Sequence, residues 1–323
     1  MNFSDKRRVI KNLYHALTIQ QLSLIAPDIP WVEYINRILP EKIIQVDDSE
    51  TVNVNVPSYI DHLSLLLVKT PPHVLANYLM WRAALQSMPF LNEQAEEITL
   101  KYLQSKTGQS KLPPRVEKCV KYASKSLKNA VGSLYVKNYF DETSRTAAID
   151  MVSKIRNQFY KSLEKIDWMD EVTKDYAMIK ARGMYAHIGY PSELLDMKKL
   201  EERYKGLELS EGDYFGNSLR MIIFGTEHRY SKLRKEVNKT DWISHGRPAL
   251  INAGYEPSEN SIFFPAAFLQ GIMFSKDRPM YMNFGAIGWM IGHEITHGFD
   301  DKGRQFDKNG NLLDWWRRET KSR

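Results

Sequence analysis

Apolar residues at Ala148, Val152, Ile155, Phe159, Leu163 and Ile166 recur at steps of three and four, which is one face of an α-helix. The same period runs from Pro72 to Met88, from Arg115 to Phe140 and from Tyr214 to Val237, so the first three quarters of the chain are predicted mostly helical. Two stretches read as extended instead, Lys42 to Val46 and the alternating Val52 to Val56. Gly108 to Pro114 and Gly189 to Glu193 mark loops. No internal repeat or low-complexity tract is visible.

The pattern changes after Val237. Ala249 to Tyr255 and Ser261 to Phe264 read as strands, and Glu256-Pro257-Ser258-Glu259-Asn260 between them is a turn sequence, so an antiparallel pair is expected. A helix is predicted from about Tyr281 through His297. Beyond it, Leu312 to Arg323 is amphipathic and carries Trp315 and Trp316. It reads as an element cut off before its packing partners arrive. These features place a boundary near Thr240.

Composition narrows the function classes. A chain of 323 residues with 43% hydrophobic content can bury a substantial core. The longest apolar stretches, Leu63 to Val68 and Met282 to Gly292, fall short of the roughly eighteen residues a membrane span needs. Met1 to Arg8 is charged with no apolar run behind it, so no cleavable signal is expected. The net charge of +6 is scattered along helices beside Glu and Asp, which describes a solvated surface and not a nucleic-acid site. Cys119 is the single cysteine, so no disulfide forms within the chain. That leans towards a reducing compartment, whereas the sequons Asn2-Phe3-Ser4 and Asn238-Lys239-Thr240 point the other way.

The chemistry concentrates in His293-Glu294-Ile295-Thr296-His297. Residues four apart on a helix lie on the same face, so the imidazoles of His293 and His297 can converge on one cation, Zn2+ by donor type. Zinc supplies a Lewis acid that brings the pKa of bound water to around 7. Glu294 is placed beside that water, to take its proton and pass it to the leaving amine. The preceding Ala286 to Gly292 is apolar and small, so the helix is expected to be buried. Asp300, three residues beyond His297, is a candidate acceptor for the second ring N–H of a ligating histidine, or a solvent-facing acid near the helix end.

These residues carry a resemblance. Gly292 to Asp301, continuing through Gly303-Arg304 to Asp314-Trp315-Trp316, resembles the neprilysin and endothelin-converting-enzyme family of metallopeptidases. Ile251-Asn252-Ala253-Gly254-Tyr255 is similar to that family's substrate-binding Asn-Ala motif. Further matching pieces are Phe264-Pro265-Ala266, Asp241-Trp242, Ile188-Gly189-Tyr190-Pro191, Ala130-Val131-Gly132, Leu134-Tyr135-Val136 and Met80-Trp81-Arg82.

The resemblance implies a mainly α fold. Residues 1–240 would be a helical cap region, and 241–323 the start of a zincin-like α+β catalytic domain of short antiparallel strands plus the active-site helix, truncated at both ends. It implies a zinc metalloendopeptidase that cleaves small peptides before large apolar residues. In it, His293 and His297 ligate the metal, Glu294 is the catalytic carboxylate, Asn252 and Ala253 hold the substrate backbone, and Phe268 and Met273 wall its pocket. Gly254 and Met273 stand where the family has aromatics, and Trp289 and Met290 are bulkier than its usual pocket residues, which leaves the apolar preference open.

The family's third zinc ligand and later transition-state residues fall after Arg323. The chain as given is therefore expected to be inactive, and a truncated binding or decoy module is the alternative. The family's membrane anchor falls before Met1 and implies an extracellular face or secretion. Cys119 matches a family cysteine whose partner lies outside the chain. An apolar face around Trp289 and Trp315 is expected to stand uncovered.

Overall fold

The computed structural model describes residues 8–40 and 44–323. The chain crosses between two compact units more than once. Of the described residues, one unit takes 12–40, 44–122 and 206–235; the other takes 8–11, 123–205 and 236–323. The last crossing falls between 235 and 236, and the crossings near Tyr122 and Lys205 have no counterpart in the sequence pattern.

The first unit is helical. Its helices are Ile19–Ile25, Trp31–Ile38, Pro57–Lys69, Pro72–Ser87, Glu93–Thr107, Arg115–Ser126 and Tyr214–Tyr230. A small core of Ile19, Leu22, Ala26, Trp31 and Val54 sits beneath a two-stranded antiparallel pair, Ala16–Thr18 with Thr51–Asn53. The predicted Val52–Val56 strand is therefore real but shorter and shifted by one residue at its start. Of the predicted Lys42–Val46 strand, Lys42 and Ile43 lie outside the described residues, and the described residues 44–46 form no strand. Val46 instead exchanges hydrogen bonds with the Asn36 amide, at 2.8 and 2.9 Å. A side chain thus satisfies the backbone groups that a partner strand would have used. Cys119 is exposed, and among the described residues no helix is long and apolar enough to cross a membrane.

The second unit carries the candidate chemistry. Its elements in chain order are α1 (Lys128–Tyr139), α2 (Glu142–Glu164), α3 (Glu171–Arg182), β1 (Tyr185–Gly189), α4 (Met197–Tyr204), α5 (Trp242–His245), β2 (Gly254–Glu256), β3 (Ser261–Pro265), α6 (Met280–Asn283), α7 (Trp289–His297) and α8 (Arg318–Lys321). The predicted Arg115–Phe140 helix breaks at Leu127, which leaves helical geometry (φ −105°, ψ 41°). The strands form one sheet in the order β1-β3-β2. β2 pairs antiparallel with β3, as the turn sequence predicts, and Asn260 closes that turn with φ +50°. β1 pairs parallel with β3, a strand missing from the sequence reading.

The stripe on α2 works as predicted. Ala148, Met151 and Val152 pack with Ile188, Ile262, Phe264, Ile287, Ile291 and Ile295 in the main core, and Leu163 joins a second cluster with Met169, Ala177, Ala181 and Trp315. Trp315 is 7% exposed, which corrects the expectation that it stands uncovered; its partners precede it in the chain instead of following it. Trp289 is 61% exposed, as expected.

Asp170 ties this second cluster together. Its carboxylate caps α3 through Thr173 and accepts the Thr320 hydroxyl at 2.5 Å. These bonds, Thr173 first, hold its pKa down to about 2. A depressed carboxylate stabilises the fold above its unfolded pKa and loses that effect as pH falls through the folded value. Asp170 is therefore expected to make the melting temperature fall between about pH 4 and pH 2. Asp170→Asn should flatten that part of a melting-versus-pH profile; an unchanged profile would contradict the assignment.

Candidate active site

The predicted Tyr281–His297 helix is present with an irregularity. α6 passes into a π-helical turn, Phe284–Gly288, before α7 begins. The turn contains Gly285 and Gly288, and π turns are frequent at functional sites. Ile287, Ile291 and Ile295 anchor the helix in the core. The opposite side is open: His293 and Thr296 are exposed. The expectation of a buried helix thus holds for one face only.

His293 and His297 project from consecutive turns with ring centroids 4.4 Å apart and planes at 83°. The edge of Trp289 meets His293. His297 Nδ1 lies 2.8 Å from Asp300 Oδ2. An ionised carboxylate only accepts, so the imidazole donates from Nδ1 and keeps its lone pair on Nε2, where a metal would be met. Asp300 is itself held by the N–H groups of Lys302 (2.9 Å) and Gly303 (2.7 Å). Residue 303 must be glycine, because a Cβ there would collide with the His297 carbonyl.

Glu294 is 5% exposed and makes no hydrogen bond among the described residues. Burial raises its pKa, and the two imidazoles oppose that shift. A buried carboxylate with no partner of its own is a group placed to accept a proton.

The donor chemistry fits zinc: two imidazoles at i and i+4, one with its tautomer set by a carboxylate. Among the described residues, no histidine, cysteine or acid adds a third ligand atom to this pair.

The other sequence-predicted residues border the same core. Asn252 and Ala253 immediately precede β2, an edge strand of the sheet; Asn252 is exposed and Ala253 buried. Phe268 is buried and Met273 half-buried, both against the core that supports α7. Gly254 faces Phe263 across the pair, and the Phe263 ring fills the space where a Cβ on Gly254 would stand. An aromatic is thus present at that place, supplied from the neighbouring strand.

One residue escaped the sequence reading. Lys180 on α3 is 1% exposed. Its ammonium donates to the carbonyls of Gly298 (2.7 Å), Gly303 (2.7 Å) and Phe306 (2.6 Å). The rings of Tyr255, Phe299 and Trp315 surround it within 5.6–5.8 Å. Burial pulls its pKa down to about 7, against Asp307 and Asp300. It therefore pins the loop that carries Asp300. A lysine on an amphipathic helix reads as solvated; the one local signal was its place beside Ala177 and Ala181 on a small-residue face.

Models of peptidase family M13 match residues 1–191 and 252–323. Neprilysin-2 of Drosophila melanogaster is 46% identical over 98% of this chain and 42% of its own length. Endothelin-converting enzyme 1 of Homo sapiens is 34% identical over 97% of this chain and 40% of its own. The inhibitor-bound crystal structure of the Mycobacterium tuberculosis zinc metalloprotease Zmp1 superposes with a TM-score of 0.86 at 28% identity, covering 98% of this chain and 46% of that one. The chain spans about two fifths of the length of these curated relatives.

Proposed function

Because the chain belongs to peptidase family M13, we propose that it forms part of a zinc metalloendopeptidase whose catalytic helix is α7. The observation that carries this is the convergence of His293 and His297 beside a buried Glu294, with Asp300 setting one ring's tautomer. Zinc, when bound, supplies a Lewis acid that lowers the pKa of water and polarises the scissile carbonyl. Glu294 takes the proton of the attacking water and hands it to the leaving amine. Its desolvated surroundings make it a stronger base than an exposed carboxylate.

Asn252 and Ala253 align the peptide by strand addition, since β2 leaves one edge without a strand neighbour among the described residues. Phe268 and Met273 support an apolar pocket for the residue after the cut, and substrates are small peptides. Residues 241–323 contribute the catalytic face and the helical part before them a cap. The protein acts on the outer face of a membrane or after secretion; the name of one relative, membrane metallo-endopeptidase-like 1 of Mus musculus, supports the membrane part of that reading.

The test is to express the longer reading frame and follow cleavage of short apolar peptides. Cleavage should stop on chelation and return with zinc. Activity that persists through chelation would end this reading.

A second reading has its own support: two imidazoles without a third ligand hold zinc weakly, so the 323-residue chain alone would bind peptide without cleaving it. Peptide hydrolysis by this chain, abolished by His297→Ala, would count against it.

A further inference from the structure

A second group of donors lies away from α7. We propose that His187, His245 and Glu259 form a separate site for a divalent first-row transition ion of the zinc type. One ligand atom from each lies within 4.8 Å of the others. The three come from different elements: β1, the end of α5, and the turn between β2 and β3. The chain is thus gathered there from positions 187, 245 and 259, whereas the peptidase motif occupies a single helix.

One donor is already free for a cation. The His187 ring is bonded to the Lys239 backbone, and its buried Nε2 has no hydrogen-bond partner. The backbone contact therefore falls on Nδ1, which donates to a carbonyl and leaves the Nε2 lone pair free. That is the arrangement of a metal-ligating histidine, its second nitrogen held by an outer acceptor. Burial keeps His187 neutral, with its pKa lowered to about 4. Burial pushes the Glu259 pKa up, but the hydrogen bonds from His245 and Ser261 and the nearby imidazoles outweigh it and leave the carboxyl below its usual value. As ligands, two imidazoles and one carboxylate would offer a single negative charge for a cation to balance, and this donor set matches open three-ligand zinc sites.

Access and competition favour the same occupant. His187 and His245 line a cleft of about 250 Å³, roomy enough for an ion and a completing water. The arginines in that cleft are engaged elsewhere: Arg247 lies over the Phe263 ring, and Arg145 lies over Tyr190 and donates to Ile188 O. The two imidazoles now stack, with centroids 3.4 Å apart and planes at 12°, and His245 Nε2 is 2.9 Å from Glu259. An ion cannot lie in the planes of two stacked rings at once. Binding therefore swings one ring out of the stack, and the Nε2 proton of His245 moves to Nδ1 through solvent, so the ring stays neutral. The bound ion would clamp α5 and the β2–β3 turn to β1, stiffening the sheet whose edge is β2.

The test uses the whole chain with His293→Ala and His297→Ala, so that the α7 motif cannot bind metal. Titration with Zn2+ should show one equivalent bound and a rise in melting temperature. Co2+ should give the visible absorption of a tetrahedral site with mixed nitrogen and oxygen donors. Adding His187→Ala or Glu259→Gln should weaken Zn2+ binding by at least about tenfold. Glu259→Gln keeps shape and an acceptor for His245, so it serves should His187→Ala fail to fold. No bound Zn2+ in the doubly substituted chain, or binding that survives both further substitutions, overturns the proposal. Neither result bears on the peptidase reading, because the motif imidazoles are absent from every protein compared.

Discussion

Glu294→Gln, made in the longer reading frame, is expected to lower kcat/KM for a short apolar peptide by about 10²–10⁴-fold. The zinc content should not change. The amide keeps the size and shape of the carboxylate but cannot take a proton from water, so the loss belongs to proton transfer and should fall on kcat more than on KM. Stability should hold or rise, because the substitution removes a buried charge that has no hydrogen-bond partner among the described residues. Three measurements on one preparation check this: peptide kinetics, zinc stoichiometry and thermal melting. Retained turnover would remove Glu294 from the chemistry. Lost turnover accompanied by lost zinc would instead make it a ligand.

Lys180→Met is expected to cause the largest loss of stability. The methionine fills the volume but donates nothing, so the carbonyls of Gly298 and Gly303 lose this donor. Phe306 O keeps the Trp315 indole N–H at 3.1 Å. Each buried carbonyl left unpaired costs about 1–3 kcal/mol, so the two together cost about 2–6 kcal/mol. For a unit of this size that corresponds to a melting temperature lower by roughly 4–24 °C.

A second effect follows from position. The loop that Lys180 pins holds Asp300, and Asp300 orients His297. Zinc affinity should therefore drop by about tenfold or more, as it does when an outer partner of a ligating histidine is disturbed. Competition with a chelator reads this directly. Lys180→Arg tests whether charge alone suffices; its planar fork cannot repeat three bonds from a single nitrogen, so it should rescue little. Melting and zinc affinity both unchanged in Lys180→Met would contradict the role given to this lysine.

The helix bearing the motif was legible because its signal is local. An i, i+4 pair of histidines with a glutamate needs only the α-helical repeat to acquire its geometry, and Ile287, Ile291 and Ile295 mark the anchored face at the same period. The β2–β3 pair was legible for a similar reason: its turn residues lie between its strands. β1 was not. Tyr185–Gly189 pairs with Ser261–Pro265 across more than seventy residues, and parallel pairing leaves no turn signal to read. The burial expected for the whole active-site helix was inferred from its small apolar residues, yet His293 and Trp289 face outwards. Apolar composition says how much surface wants cover and not which neighbour supplies it.

Periodicity and spacing are properties of a few consecutive residues, and they carry the helical character of this chain and the placing of His293, Glu294 and His297 on one helix. Burial of a cation at Lys180, the meeting of His187, His245 and Glu259, and the cover over Trp315 each depend on groups brought together from distant parts of the chain. No local pattern records such meetings, because desolvation and hydrogen bonding act through space and are set only once the elements have packed.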